Sequence, residues 1–138
     1  MIMALSWASF VNPSTATIEA VAGFRYDPPM TDRLTIALAQ LNPTLGAINA
    51  NLAKAREARA TAKDADIILF PELFICGYPP EDLVLRPTFV AACKAAVEDL
   101  AKDTITGPAV LMGLPWRDGG KLHNAVALLA AMNCRRSM

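Results

Sequence analysis

One histidine, three scattered cysteines and no excess charge of either sign are what this 138-residue chain lacks most, and each shortage removes a class of function. Cys76, Cys93 and Cys134 are odd in number, form no Cys-x-x-Cys pair and have only His123 for company. They suggest neither a disulfide framework nor a zinc site, and this use of cysteine fits a reducing, cytoplasmic setting. Thirteen Lys and Arg balance thirteen Asp and Glu, so the basic stripe of a nucleic-acid binder is missing and no nucleic-acid partner is expected. Pro, Asp, Lys or Arg interrupt every apolar run well short of the roughly 18 residues that cross a bilayer, so no membrane partner is expected either. No Gly-x-Gly-x-x-Gly or other phosphate-binding loop occurs, which gives the chain no means of its own to bind ATP or NAD.

What is present is apolar. Hydrophobic residues make up 54% of the chain and mean hydropathy is +0.31, enough to exclude wholesale disorder and to demand a core. The first 29 residues differ from the rest. Residues 1–11 are mildly apolar, 12–17 are turn-like, and Asp27-Pro28-Pro29 breaks any continuing element. No Lys or Arg precedes the apolar run and no clean cleavage region follows it, so residues 1–29 read as an extension rather than a secretory signal. A domain starting at Met30-Thr31-Asp32 is the expectation, ending near residue 130.

From residue 34 the pattern is regular. Leu34 to Leu41 is short, apolar and closed by Asn42-Pro43, which predicts a buried strand. Ile48, Leu52, Ala55, Ala58 and Ala62 then recur at helical spacing, with Asn49, Asn51, Lys54, Arg56, Glu57, Arg59 and Lys63 assigned to the solvent side. Ile67 to Phe70 is a second buried strand. Pro87 suits the first turn of another helix, whose apolar stripe is Phe89, Val90, Cys93, Ala96, Val97, Leu100 and Ala101. Ala109 to Leu114 and Leu122 to Ala130 are strands joined by Asp118-Gly119-Gly120, the signature of a hairpin. The order β-α-β-α-β-β predicts an α/β fold with a mixed sheet covered by helices.

The most informative stretch is Asp66-Ile67-Ile68-Leu69-Phe70-Pro71-Glu72-Leu73, continued by Gly77-Tyr78-Pro79-Pro80-Glu81-Asp82-Leu83. An apolar strand runs straight into a lone carboxylate and then into tight turns. This stretch resembles the general-base motif of the carbon–nitrogen hydrolase (nitrilase) superfamily, and its continuation resembles the amidase domain of glutamine-dependent NAD synthetases. The resemblance covers Leu34 to about Leu129. It implies an α-β-β-α sandwich, of which this chain holds an incomplete part, with residues 131–138 forming a divergent tail. It also implies a Glu-Lys-Cys triad: the Glu takes the thiol proton, the Cys attacks the amide carbon, and the Lys stabilises the tetrahedral intermediate.

By motif Glu72 is the general base, its alternative being a solvated loop carboxylate. Tyr78 falls where glutamine-hydrolysing members place a substrate-lining tyrosine, and an amphipathic ring packed under a loop fits equally well. The family's Lys and Cys are expected well beyond Asn124, so neither Lys121, in the hairpin turn, nor Cys134, in the divergent tail, matches them. Cys76, four residues after Glu72, invites a Cys-Glu reading, yet the family motif tolerates various residues there and a reactive thiol is not favoured. Cys93 reads as a core residue, His123 as a packed and hydrogen-bonded histidine, Asn124 as structural, and Trp116 and Arg117 as hairpin caps.

The function implied is glutamine hydrolysis for amidation of an NAD precursor, with glutamine as substrate of the full-length enzyme. ATP and the NAD precursor would belong to a separate synthetase domain, and the isolated chain is expected to be a fragment without activity. An ω-amidase-like member of the same superfamily is the nearest alternative. A third reading, a non-catalytic module that docks on a partner or forms a homo-oligomer, rests on the expectation that the last sheet edge is apolar and unpaired.

Overall fold

In a computed structural model the chain is described at residues 2–6 and 34–131. The proposed domain start at residues 30–32, most of the N-terminal extension and the tail with Cys134 lie outside the described residues. The strands are β1 (Ile2–Ser6), β2 (Ile36–Leu38), β3 (Ile67–Leu69), β4 (Ala109–Asp118) and β5 (Lys121–Leu129). Two helices accompany them, α1 (Ile48–Thr61) and α2 (Pro87–Asp103), with a 3-10 turn at Glu81–Leu85 before α2.

The strands form one mixed sheet in the order β1-β5-β4-β3-β2. β2, β3 and β4 run parallel, Ile36 facing Ile67 and Ile67 facing Ala109, because helical crossovers return the chain to the same end of the sheet. β4 and β5 form the hairpin, in register from Val110 opposite Leu129 to Asp118 opposite Lys121. Gly119 and Gly120 take φ of 52° and 80° at its tip, the positive pair that a tight two-residue turn requires.

The core lies on one face of this sheet. Ile68, Val110, Met112, Leu114, Ala125, Ala127 and Leu129 are buried there against Leu52 and Ala55 of α1 and Cys93, Ala96, Val97 and Leu100 of α2. The α2 stripe is the one the spacing predicts. Arg56 ties the helices together, donating to Asp99 and Asp103 at 2.7 Å each. Arg59 reaches the 106–108 turn through the carbonyls of Thr106 and Pro108.

Three expectations need correction. β2 was expected to be buried, yet Ile36 is 52% and Leu38 66% exposed, since both point away from the helices. Leu69 and Val126 share that open face, so the described residues make one helix layer on one sheet, half of a sandwich. Asn51 was assigned to the solvent side of α1 but is fully buried. Finally, the outer edge of β5 is not bare: β1 pairs with it antiparallel, Ile2 opposite Leu129 through Ser6 opposite Ala125. An apolar edge with free N–H and C=O groups takes up a β-competent segment, so among the described residues the sheet ends at β1 and β2 instead of β5.

Candidate active site

Glu72 sits where β3 gives way to a tight turn at the end of the parallel strands, the position at which open α/β sheets present their chemistry. Phe70 N–H still donates to Leu111 O at 3.0 Å, so the turn starts from a strand held in the sheet. Beyond Pro71 the chain folds back on itself. Leu73 adopts φ of 50°, a left-handed conformation that non-glycine residues enter at a cost of order 1–3 kcal/mol. It is held there because its side chain is buried and its carbonyl accepts from Cys76 N–H at 3.1 Å and Gly77 N–H at 3.0 Å. Phe70 and Phe74, ring centroids 4.9 Å apart, pack beneath.

β4 closes the turn from its other side. A Cβ at Gly113 would fall 2.5 Å from Leu73 N, 3.0 Å from Pro71 O and 3.1 Å from Glu72 C, so only glycine lets β4 run against the backbone that carries Glu72. Two pairs further along the hairpin, Asn124 of β5 lies opposite Pro115. Its Nδ2 donates to Glu72 Oε1 at 2.5 Å, across 52 residues of sequence. A carboxylate oxygen so occupied is oriented, and the second oxygen is left to act.

Glu72 is exposed, and not partly desolvated as a base at a strand mouth would be expected to be. Tyr78 is 61% exposed, so its ring is not packed under the loop. Two clefts, of about 680 Å³ between α1 and α2 and about 560 Å³ between β2 and α1, are lined by neither residue. Glu72 is exposed at the end of the sheet.

The remaining candidates are placed as follows. Cys76 and Cys93 are fully buried. The Cys76 thiol lies 3.2 Å from Leu73 O, to which it donates, and the neighbouring Cys76 sulfur together with burial pushes the Cys93 thiol up. His123 is half-buried, in register with Trp116. Lys94 Nζ stands 5.0 Å from the Trp116 ring centroid, and Arg117 donates to Leu85 O at 3.2 Å, so the turn end of the hairpin is anchored to α2 and the 3-10 turn. Lys121 is exposed at the hairpin tip. Among the described residues no group of three His, Cys, Asp or Glu could hold a metal ion, and no helix is long and apolar enough to cross a membrane.

Residues 35–133 match the profile of the carbon-nitrogen hydrolase family. The chain belongs to the carbon-nitrogen hydrolase family. Among curated members of that family type, the glutamine-dependent NAD(+) synthetase of Rhodobacter capsulatus is 46% identical over 98 residues, which are 70% of this chain and 18% of the relative. The crystal structure of a glutamine-dependent NAD(+) synthetase from Cytophaga hutchinsonii superposes with a TM-score of 0.67 at 30% identity, covering 71% of this chain and 17% of that one. A mutant amidase from Nesterenkonia sp. AN1, solved with acrylamide added at its active site cysteine, superposes with a TM-score of 0.53 at 28% identity, covering 63% of this chain and 35% of the amidase. The chain thus spans less than a fifth of the length of the synthetases it matches, within their carbon-nitrogen hydrolase portion.

Asn124, read as structural in the His123-Asn124-Ala125-Val126 strand start after the Gly-Gly turn, is brought to Glu72 by the pairing of β4 with β5, a contact that the sequence does not disclose.

Proposed function

We propose that this chain carries the general-base portion of a glutamine-hydrolysing active site, with Glu72 as the base. The observation that supports it most is the Asn124–Glu72 contact: a carboxylate at a strand end, one oxygen fixed by an amide and the other open. In the reaction, Glu72 takes the proton of a cysteine thiol as the sulfur attacks the amide carbon. It then returns that proton to the leaving nitrogen, so that ammonia departs from a thioester. Hydrolysis of the thioester repeats the sequence with water, Glu72 again accepting the proton. A lysine offsets the negative charge that develops on the carbonyl oxygen. Glu72 is the member of this triad that the described residues supply by motif, and the thiol and the lysine belong to sequence beyond the matched strands. Tyr78, exposed beside the same turn, lines the substrate.

The released ammonia would amidate an NAD precursor, as the names of the relatives imply, with ATP and the precursor bound by a separate domain. The cytoplasm is the compartment in which free buried thiols and this chemistry agree.

A chimera in which residues 35–133 replace their counterpart in the Rhodobacter capsulatus synthetase tests the substrate. The expected result is ammonia release from glutamine, coupled to amidation, with simple aliphatic amides turned over far more slowly. A preference for aliphatic amides would instead favour the stand-alone amidase branch, to which the structural likeness is weaker.

A further inference from the structure

Asn51 is a buried amide on the face of α1 that periodicity assigns to solvent. Its amide is used almost to capacity. Oδ1 accepts from Thr44 N–H at 2.8 Å, and Nδ2 donates to Thr44 O at 2.8 Å and to Ile75 O at 3.2 Å. One side chain thus joins the turn after β2 to the turn that carries Glu72. Two further contacts reinforce the joint. Gly46 N–H donates to Cys76 O at 2.8 Å. Gly77, at φ of 82°, lies so close that a Cβ there would be 2.5 Å from Leu45 Cα, backbone against backbone.

We propose that Asn51 is a positioning residue for the Glu72 carboxylate. The proposal rests on the reading of Glu72 as the base and adds the device that sets its place. Ile75 lies within the same folded turn as Glu72, and the Leu73 carbonyl, bound by two amides, stops that turn from flexing internally. A displacement at Ile75 is therefore passed to Glu72 instead of being absorbed. Gly113 fixes the turn from the β4 side, Asn51 from the α1 side, and the Asn124 amide meets the carboxylate only if both hold.

The test compares Asn51→Ala and Asn51→Asp in the 138-residue chain by NMR and hydrogen exchange. Asn51→Asp keeps the size and the acceptor for Thr44 but turns a carboxylate toward two carbonyls, so it decides the matter if Asn51→Ala does not fold. The Glu72 carboxyl and Asn124 side-chain amide resonances, assigned with Glu72→Gln, are expected to shift, the Asn124 amide moving toward its position in Glu72→Gln. The Gly46 and Gly77 amides are expected to exchange about tenfold faster or more, while those of Met112 and Ala127 in the sheet are unchanged. Faster exchange with unmoved Glu72 and Asn124 signals would overturn the proposal, leaving Asn51 a merely structural tie, and so would no change at all. These readouts do not depend on catalysis. If Glu72 is not the base, that failure appears separately, as a chimera that keeps its activity with Glu72→Gln.

Discussion

The Glu72 carboxylate meets the Asn124 amide of β5, and its backbone lies against Gly113 of β4, a residue without a side chain. Gly113→Ala would place a methyl group within van der Waals overlap of the Pro71–Leu73 backbone. We expect it to cost about 1–3 kcal/mol, the usual penalty of overpacking a closed site, measured by denaturant unfolding. It should also displace the Glu72–Asn124 pair, seen as a shifted Asn124 amide resonance. Unchanged stability would mean that the turn yields freely and is not clamped. The sequence disclosed Glu72 because strand, proline, carboxylate and turn are consecutive, and a local pattern needs no fold to be read. Asn51 was read less well for a physical reason: hydrophobic periodicity sends every polar side chain to solvent, whereas a buried amide is stable wherever its hydrogen bonds are met. The Asn124 contact was illegible for another, since its partner lies 52 residues away and meets it only in the folded sheet.

At the scale of elements the α2 stripe and the hairpin were legible, being set by spacing and by a Gly-Gly turn. The exposure of β2 was not, because an apolar strand reads alike whether its outer face is covered or open. The link between α1 and α2 was also invisible in sequence, since Arg56 meets Asp99 and Asp103 only after both helices dock. Arg56, with Lys102 second, holds the Asp99 carboxyl below its usual value of 3.8. A carboxyl whose folded value is lowered binds protons more readily in the unfolded chain. Its contribution is therefore complete above about pH 3.8 and lost as pH falls through the lower folded value. Arg56→Ala should lower the melting temperature slightly at neutral pH, as expected for an exposed ion pair, and the gap from wild type should close below that pH. A gap independent of pH would show that Arg56 acts by packing alone.

At the scale of the whole molecule, the described residues form one layer of helices on a mixed sheet, and the asymmetry of that pair is their main physical property. Ile36, Leu38, Leu69 and Val126 leave the second face apolar and exposed. We expect this face to bind a hydrophobic dye and to drive self-association, and Leu38→Lys to reduce both without lowering the melting temperature. Dye binding that ignores Leu38→Lys would place the sticky surface elsewhere. The family's sandwich was legible from the motif and strand order, but the pairing of β1 with β5 was not, because a five-residue, mostly apolar run carries no address for a partner more than a hundred positions away. The central claim concerns the carboxylate at the open end of this sheet. The measurement that tests it most directly is single-turnover thioester formation from glutamine in the chimera described above, with Glu72 and with Glu72→Gln. A slowing of about 10²–10⁴-fold with an unchanged melting temperature is the predicted result, the size expected for loss of a general base; a glutamine variant that acylates as fast as the parent would contradict it.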